Sequence, residues 1–327
     1  MERGFGKTSR ELKRRRKFMK KALVILLMAI VAVSLFVGCK KEPKVKTYTV
    51  TFDSNGGTAV EAKTVNAGDK ISGVTAPTKG GCEFAGWTKD GKDFNLETDI
   101  VTGNMTLVAK WNYKTFALGD TGPAGGKIFY AADEVQTSTY LDADGNEVTY
   151  TWKYLEVSTE DLKVTEGGTE TSEFIFGEYK KSGTKSVIVS ENTTGLEGNN
   201  AAIGQGRYNT SAIVNAFGAT ASDGYDNKIY AAKVCADYET EVDGVTYDDW
   251  FLPSLKELDT IFAQKSKIGG TWNTFYFSSS ENDAGNAWYE VMESITYPNG
   301  FGFTAGEKYG GLRGRNGVCH VRAIRAF

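Results

Sequence analysis

The sequence predicts an α+β fold in two parts: a small all-β module, then a larger domain of strands and helices. Residues Tyr48–Phe52 alternate between apolar and polar, which is the period of a strand, and Asn55-Gly56-Gly57 has the composition of a hairpin turn. Far along the chain, apolar residues recur at helical spacing after Ser254, which forms a capping box with Glu257. Strand signals therefore come first and helix signals later.

The first elements of the larger domain follow from turn chemistry and periodicity. The Gly-rich stretch 118–126 leads into a strand at 127–130 and not into a helix, so it does not predict a phosphate cradle. Asp144-Gly145-Asn146 predicts a hairpin. A helix is expected from Ser211 to Phe217 with Asn209 or Thr210 as its N-cap, because Asn and Thr side chains accept from free helical N–H groups.

The later elements surround one corner. A short helix is predicted over Ile229–Tyr238, and Tyr247–Leu252 is predicted as a strand that Pro253 stops, because proline has no N–H to donate. The capped helix should then run from Leu255 to about Lys265. A closing strand is expected over Val318–Phe327.

Charge and the N-terminal region indicate an exported protein. An apolar run over residues 22–38 follows a basic cluster, as in a signal peptide. Residues 1–38 hold ten of the 38 Lys and Arg and two of the 41 Asp and Glu, which leaves 28 basic and 39 acidic residues and a net charge of −11. This acidic balance argues against nucleic acid as a partner, because binding phosphates requires basic side chains.

The segment Phe36-Val37-Gly38-Cys39 resembles the lipobox of bacterial lipoproteins, although Leu is usual where Phe36 stands. The resemblance implies a signal peptide over residues 1–38, a lipid on Cys39 and a tether over residues 39–46. It implies a protein of the bacterial cell envelope, periplasmic or at the cell surface, with the membrane as a partner through the lipid. The alternative is an uncleaved transmembrane anchor, and both place the rest of the chain outside the cytoplasm.

The first module carries a specific set of motifs: Tyr48–Phe52, Asn55-Gly56-Gly57, Phe84-Ala85-Gly86-Trp87 and Leu107–Trp111. Together they resemble the Listeria–Bacteroides repeat, also called the internalin B-repeat. The resemblance implies a small, β-grasp-like spacer module of secreted and surface proteins over residues 47–112. We expect Trp87 and Trp111 in its core, because so small a module must bury its largest apolar side chains. The alternative is that they bind a ligand.

A second series of motifs runs through the larger domain in order: Gly119–Gly126, Ile203–Gly206 with Asn209-Thr210, Asp249–Ser254, Ser278–Glu281, Ala287-Trp288 and Val321–Phe327. The series resembles the C-terminal domain family of the Legionella collagen-like protein. The resemblance implies a C-type-lectin-like α+β fold over residues 113–327, distantly akin to formylglycine-generating enzymes. Some relatives bind sulfated glycans, but the family has no single activity, so the fold does not settle the function.

The cysteines and the single histidine offer little catalytic chemistry. In an oxidising compartment Cys235 and Cys319 are candidates for a disulfide, with a reactive copper-binding pair, as in formylglycine-generating enzymes, as the alternative. Cys82 would then be a small buried hydrophobe. His320 cannot act with Cys319, because adjacent strand residues point to opposite faces. The sequence predicts no catalytic residue, no metal site and no cofactor.

Ligand-binding candidates come from polar and aromatic loop residues, because binding residues gather on loops over a rigid scaffold. Clustered carboxylates and amides would suit calcium or a polar ligand: Asp248, Asp249, Glu281, Asn282 and Asp283. Aromatic and arginine side chains would suit a glycan or peptide, because rings stack on sugars and Arg pairs with sulfate or carboxylate: Tyr289, Tyr297, Tyr309, Arg313 and Arg315. Trp288 is predicted to lie in the core.

These features predict a non-catalytic, surface-anchored lipoprotein that presents a lectin-like recognition domain. Its expected ligand is an extracellular glycan or protein, in an adhesion-type role. Two alternatives remain: an enzyme or accessory factor related to formylglycine-generating proteins, and a purely structural envelope protein.

Overall fold

The computed structural model describes residues 45–177, 199–222, 227–283, 286–312 and 317–327. The strands of the first part are β1 (Thr47–Asp53), β2 (Lys63–Asn66), β3 (Cys82–Lys89), β4 (Lys92–Phe94) and β5 (Met105–Tyr113). Those that follow, up to the first helix, are β6 (Lys127–Leu141), β7 (Glu147–Val157), β8 (Val164–Glu166), β9 (Thr169–Thr171) and β10 (Phe174–Ile175).

The rest of the chain mixes helices with short strands. The helices are α1 (Gly206–Phe217), α2 (Ala231–Ala236) and α3 (Leu255–Ile268), and Asn199–Ala201 is a single 3-10 turn. The strands are β11 (Ala221–Ser222), β12 (Asn227–Lys228), β13 (Thr240–Val242), β14 (Val245–Tyr247), β15 (Phe275–Asp283), β16 (Asn286–Val291), β17 (Ile295–Thr296), β18 (Gly302–Phe303), β19 (Lys308–Leu312), β20 (Val318–Cys319) and β21 (Ile324–Ala326). The fold is therefore α+β, with mostly small sheets and few helices.

The first part is a five-stranded sheet in the order β2-β1-β5-β3-β4, and its central pair, β1 and β5, is parallel. Trp87 is buried in the core of this sheet, as predicted. Trp111 is half-buried, packs against that core and donates its indole N–H to the Ser54 carbonyl at 3.1 Å. Gly57 must be glycine, because a Cβ there would lie 2.5 Å from the Trp111 ring.

Two three-stranded sheets frame the second part, in the orders β21-β7-β6 and β15-β16-β19. The β6–β7 hairpin turns at the predicted Asp144-Gly145-Asn146, where the Asp142 carboxylate accepts from the Asp144 and Asn146 N–H groups at 2.9 and 2.8 Å. Apolar residues of α3, β7, β15 and β21 share one core cluster. This framework leaves β19 at an edge of its sheet.

The corner at Pro253 confirms one prediction and corrects another. The capping box is present, since Glu257 N–H donates to Ser254 Oγ at 3.3 Å and Ser254 N–H donates to the Glu257 carboxylate at 2.6 Å. The predicted strand Tyr247–Leu252 was wrong. Strand β14 ends at Tyr247, and beyond it only Phe251 forms a β-bridge, to Ile324. Long-range pairing with the closing segment replaces a continuous strand there.

The predicted start of α1 was also wrong. The helix begins at Gly206, so Asn209 and Thr210 lie within it and do not cap it. Both are buried and serve distant partners: Asn209 Nδ2 donates to the Asn200 carbonyl at 2.7 Å, and Thr210 Oγ1 accepts from Leu252 N–H at 3.0 Å. The predicted second helix is shorter than expected, as α2. In place of the predicted closing strand there are two short strands, β20 and β21, separated by residues 320–323.

Residues Tyr48 to Phe327 form one compact unit. The turn at Gly80 and Gly81 joins the first sheet to the second part. A Cβ on Gly80 would lie 2.9 Å from the Tyr247 ring, and one on Gly81 would lie 2.3 Å from the Phe327 ring. Lys114 N–H, just after β5, donates to the Gly81 carbonyl at 2.9 Å and so holds this turn against the end of β5. The two parts are therefore packed directly against each other.

Candidate ligand-binding surface

Six aromatic residues form a continuous cluster on the β15-β16-β19 sheet and the β17–β18 hairpin, here called the aromatic surface: Phe275, Tyr289, Tyr297, Phe301, Phe303 and Tyr309. The rings of Tyr289 and Tyr309 stack at 5.7 Å, because the two residues are cross-strand partners on β16 and β19. Phe303 meets Tyr309 edge-on at 5.2 Å and Phe301 edge-on at 5.1 Å. Each ring of the cluster therefore packs against at least one other ring of the cluster.

The β17–β18 hairpin carries the outer part of this surface. Tyr297 N–H donates to the Phe301 carbonyl at 2.7 Å, and the two rings stack at 6.5 Å with only 15° between their planes. Gly300 turns the chain at a φ of 83°, a conformation that glycine adopts without the steric cost other residues have. Phe301 is 59% exposed and Tyr297 is 40% exposed. A contiguous exposed apolar patch, unlike single exposed residues, is typical of an interaction site.

An ionised carboxylate adjoins the rings. The Tyr309 hydroxyl donates to Glu307 Oε2 at 2.6 Å, and Thr304 N–H donates to the same oxygen at 2.8 Å. These hydrogen bonds, that from Tyr309 first, lower the pKa of Glu307, and the same contact raises the pKa of Tyr309. The surface therefore offers flat apolar faces beside a fixed acceptor.

The predicted polar candidates do not gather at one place. Asp248 is exposed after β14, whereas Glu281 is fully buried on β15 and cannot meet a surface ligand. Asn282 is half-buried and lies against Gly310 of β19, where a Cβ would stand 2.3 Å from Asn282 Nδ2. Asp283 ends β15, and its side chain lies outside the described part of the structure.

The carboxylates that would suit calcium are not brought together in the described residues. Asp249 pairs with Arg325, which also binds the buried Glu156 at 3.1 Å. Within the described ranges, no three His, Cys, Asp or Glu side chains are placed to share a metal ion. Arg313 and Arg315 lie outside the described residues. Of the predicted candidates, Tyr289, Tyr297 and Tyr309 lie on the aromatic surface, and Asn282 lies in the same sheet as Tyr289 and Tyr309.

The sequence contained a signal for the phenylalanines of this surface that was not used. Asn299-Gly300 is a hairpin signal, and Tyr297, Phe301 and Phe303 flank it. A hairpin there must bring Tyr297 and Phe301 together, next to the strand that carries Tyr309.

The five-stranded sheet has recognisable relatives. Residues 48–110 match the family model of the Listeria-Bacteroides repeat domain. The match falls on the predicted module and ends within β5. The match covers the first sheet only and does not extend to the second part.

Two proteins of Evansella cellulosilytica are similar to part of the chain. One, provisionally named a Gly-rich membrane protein, is 33% identical over 88 residues, which is 26% of this chain and 10% of that protein. The other, provisionally named a membrane protein, is 34% identical over 76 residues, 22% of this chain and 11% of that protein. The chain therefore spans about a tenth of the length of these relatives. In the described residues, no helix is long and apolar enough to cross a membrane.

The cysteines of the described residues are buried, free thiols. The disulfide expected between Cys235 and Cys319 is not formed, although both side chains belong to the same apolar core cluster. Burial raises the pKa of both thiols well above the ordinary value and raises that of Cys82 as well. The three side chains therefore act as small hydrophobes. Cys39, the predicted lipidation site, lies outside the described residues.

His320 and Trp288 support the sheet that carries the aromatic surface. His320 N–H donates to the Phe275 carbonyl at 2.9 Å, and the His320 ring lies 3.7 Å from carboxylate oxygens of Asp161 and Glu173. Trp288, predicted to be core, is only half-buried, and its indole nitrogen is buried with no hydrogen-bond partner among the described residues. Its neighbour Ala287 is fully buried.

Proposed function

We propose that the chain is a non-catalytic protein of the bacterial envelope that recognises an extracellular ligand through its second part. In this proposal a lipid on Cys39 anchors the chain, the Listeria-Bacteroides repeat domain is a β-grasp-like spacer, and the second part is a C-type-lectin-like recognition domain. The preferred ligand is a glycan, and an extracellular protein is the second candidate.

The aromatic surface is the observation that carries the proposal. Exposed tyrosine and phenylalanine faces present large contact areas with few rotatable bonds, so binding orders them at low entropic cost. Phe301, which is 59% exposed, and Tyr297 have most to gain from being covered, since burial of apolar area contributes roughly 25 cal/mol per Å². Flat ring faces fit the C–H faces of sugar rings, and the Glu307 carboxylate can accept from sugar hydroxyls.

The scaffold beneath the inner rings is made of paired strands. Phe275 and Tyr289 belong to the β15–β16 ladder, and Tyr309 belongs to the neighbouring strand β19. Binding sites on strands hold their geometry better than sites on free loops. The proposed ligand would therefore meet a surface that is already formed.

The alternative of an enzyme akin to formylglycine-generating proteins receives no support from the thiols. Such chemistry needs accessible thiolates, whereas burial raises the pKa of Cys235 and Cys319 well above the ordinary value. The names of the Evansella relatives refer to membranes, which agrees with an envelope location without specifying the anchor.

A glycan array on residues 40–327, with both neutral and sulfated sugars, tests the proposal. We expect sugar binding, and we expect the Tyr297→Ala/Phe301→Ala double variant to bind at least tenfold more weakly. A tenfold loss of affinity corresponds to roughly 1.4 kcal/mol. Ile100→Ala is the matched control, since Ile100 is 51% exposed on the repeat domain, away from the aromatic surface. No binding to any sugar would exclude the glycan ligand. Binding that survives the double variant would place the site elsewhere.

A further inference from the structure

Three ionisable side chains meet on the inner face of the β16–β19 pair. Lys308 Nζ lies 2.7 Å from Asp259 Oδ1 of α3 and 3.7 Å from Glu290 Oε1 of β16. Lys308 and Glu290 are direct cross-strand partners. An amine, a carboxylate and a second carboxyl group are thus held together by three different elements.

Glu290 is unlike the other two residues. It is fully buried, and within the described residues neither of its carboxyl oxygens has a hydrogen-bond partner. Asp259 and Lys308 have side chains that are 49% and 20% exposed. Burial raises the pKa of Glu290 to about 8, against the opposing effect of Lys308 and with a further rise from Asp259. At neutral pH Glu290 is therefore mostly a neutral acid beside an ion pair.

A buried polar group without partners is costly to stability. An apolar side chain at position 290 would avoid that cost, and Lys308 already has Asp259 as its counter-ion. The buried carboxyl group of Glu290, which has no hydrogen bond in the described residues, points to a chemical role at the Lys308–Asp259 contact.

We propose that Lys308 and Asp259 become joined by an amide cross-link, an intramolecular isopeptide bond, with Glu290 as the group that moves the proton. The proposal is independent of the ligand that the aromatic surface binds.

The step balances without any oxidant or cofactor. Nζ of Lys308 attacks Cγ of Asp259, so an Nζ–Cγ bond forms and one Cγ–Oδ bond breaks. The ammonium gives up two protons and the departing oxygen takes both, which releases one water molecule. Glu290, which starts as a neutral acid, first gives its proton to a carboxyl oxygen of Asp259, and the resulting Glu290 carboxylate accepts a proton from Nζ, which frees the lone pair for attack. Once the Nζ–Cγ bond has formed, Glu290 gives this proton to the leaving oxygen and takes the second proton from Nζ, so that it ends as the neutral acid it was. The positive and the negative charge disappear together.

The geometry supplies what this reaction needs most, which is proximity. The 2.7 Å contact places Nζ next to the carboxyl group it must attack, and positioning alone removes much of the barrier to a condensation. Partial burial lowers the pKa of Lys308, but its contacts with Asp259 and Glu290 outweigh this effect and raise the pKa. The amine therefore starts as an ammonium, so we expect the bond to form slowly after folding.

The molecule contains its own matched control. Lys265 Nζ lies 2.6 Å from Glu293 Oε1, another contact between a lysine of this region and a carboxylate that is 50% exposed. Its second partner is the Met292 carbonyl at 2.6 Å, which cannot move a proton as a carboxyl group can. If contact alone sufficed, this pair would also react.

The test is a tryptic digest of the full chain after prolonged incubation at neutral pH, read by mass spectrometry. Trypsin does not cut after an acylated lysine, so the cross-link predicts a branched product that joins residues 257–265 to residues 268–313, lighter by one water than the two together. Lys308→Arg keeps the ion pair and should abolish the product. Glu290→Gln keeps the shape and should slow its formation at least tenfold. Lys265→Arg should change nothing.

Two results would overturn the inference. The first is the recovery of residues 257–265 and 268–308 as separate, unmodified peptides at every time point. The second is a branched product that still forms at its original rate in the Glu290→Gln variant, which would leave Glu290 without the proposed role. A normal circular dichroism spectrum for each variant establishes that the chain has folded.

Discussion

Gly206, the first residue of α1, lies directly against the carboxylate of Glu257 in α3. A Cβ at position 206 would stand 2.3 Å from Glu257 Oε2. The same carboxylate accepts from Gly204 N–H at 2.8 Å and from Ser254 N–H at 2.6 Å. Glu257 therefore joins the N-terminal ends of two helices, where free N–H groups and helix dipoles favour negative charge.

Gly206→Ala should destabilise the protein, because the methyl group would push the carboxylate away from these N–H donors. We expect a loss of about 1–3 kcal/mol in the free energy of unfolding, as for other overpacked sites. Gly103→Ala is the control, since nothing lies within 4 Å of a Cβ there. Urea unfolding of both variants measures the difference, and equal stabilities would show that the contact does not constrain position 206.

Stability should fall as the pH rises from about 4.5 toward 8, because the fold holds Glu290 as a neutral acid. Burial first, with Asp259 adding to it and Lys308 opposing it, raises the pKa of Glu290 from 4.5 to about 8. The folded state thus binds a proton that the unfolded state releases, so the stability present below pH 4.5 is lost through this window. Burial raises the pKa of Glu257 to about 7 and adds an effect of the same sign.

Glu290→Gln removes this titration and should unfold at higher urea concentration than the unaltered protein at pH 8, but not at pH 4. Unfolding curves across that range measure the change. A variant whose stability follows the original pH dependence would assign the effect to Glu257 and to other carboxyl groups.

Gly81→Ala should weaken the contact between the repeat domain and the second part. Its Cβ would lie 2.3 Å from the Phe327 ring, in a backbone conformation with a φ of 74°. Gly91→Ala is a close control, since Gly91 has a φ of 75° and nothing lies within 4 Å of its Cβ. Both variants carry the same backbone strain. The additional fall in melting temperature for Gly81→Ala therefore measures the lost packing, and equal melting temperatures would mean that the contact contributes little.

The thiols of the folded protein should resist modification. Cys82, Cys235 and Cys319 are free and buried, and burial raises the pKa of all three. We expect dithionitrobenzoate to label none of them in the native protein and all of them in urea without reductant. Failure of Cys235 and Cys319 to react in urea would reveal the disulfide that the structure does not form.

Local chemistry predicted some elements well and long-range contacts overrode others. The Ser254–Glu257 capping box needs only four consecutive residues, so the start of α3 could be read from the sequence. Asn209 and Thr210 have equally good capping chemistry, but their partners are Asn200 and Leu252, which only the fold brings near.

The same division applies to the candidate surface. Tyr309 was predicted from its loop, whereas Glu281 was predicted as exposed and is buried within β15. Successive side chains of a strand point to opposite faces of the sheet, and the sequence of β15 does not show which of the two faces is covered. The contacts of Phe303 with Tyr309 and with Phe275 depend on two sheets meeting, which no local pattern reports.

The parallel pairing of β1 with β5 has a mechanical consequence. A force that pulls on the chain from both sides of this sheet enters at the start of β1 and at the end of β5. Because the two strands are neighbours and run in the same direction, opposite pulls slide them along each other. The paired stretch from Val50 with Met105 to Asp53 with Val108 is then loaded in shear, and its hydrogen bonds must break together. A sheet connected in this way resists extension far better than one whose hydrogen bonds break one at a time.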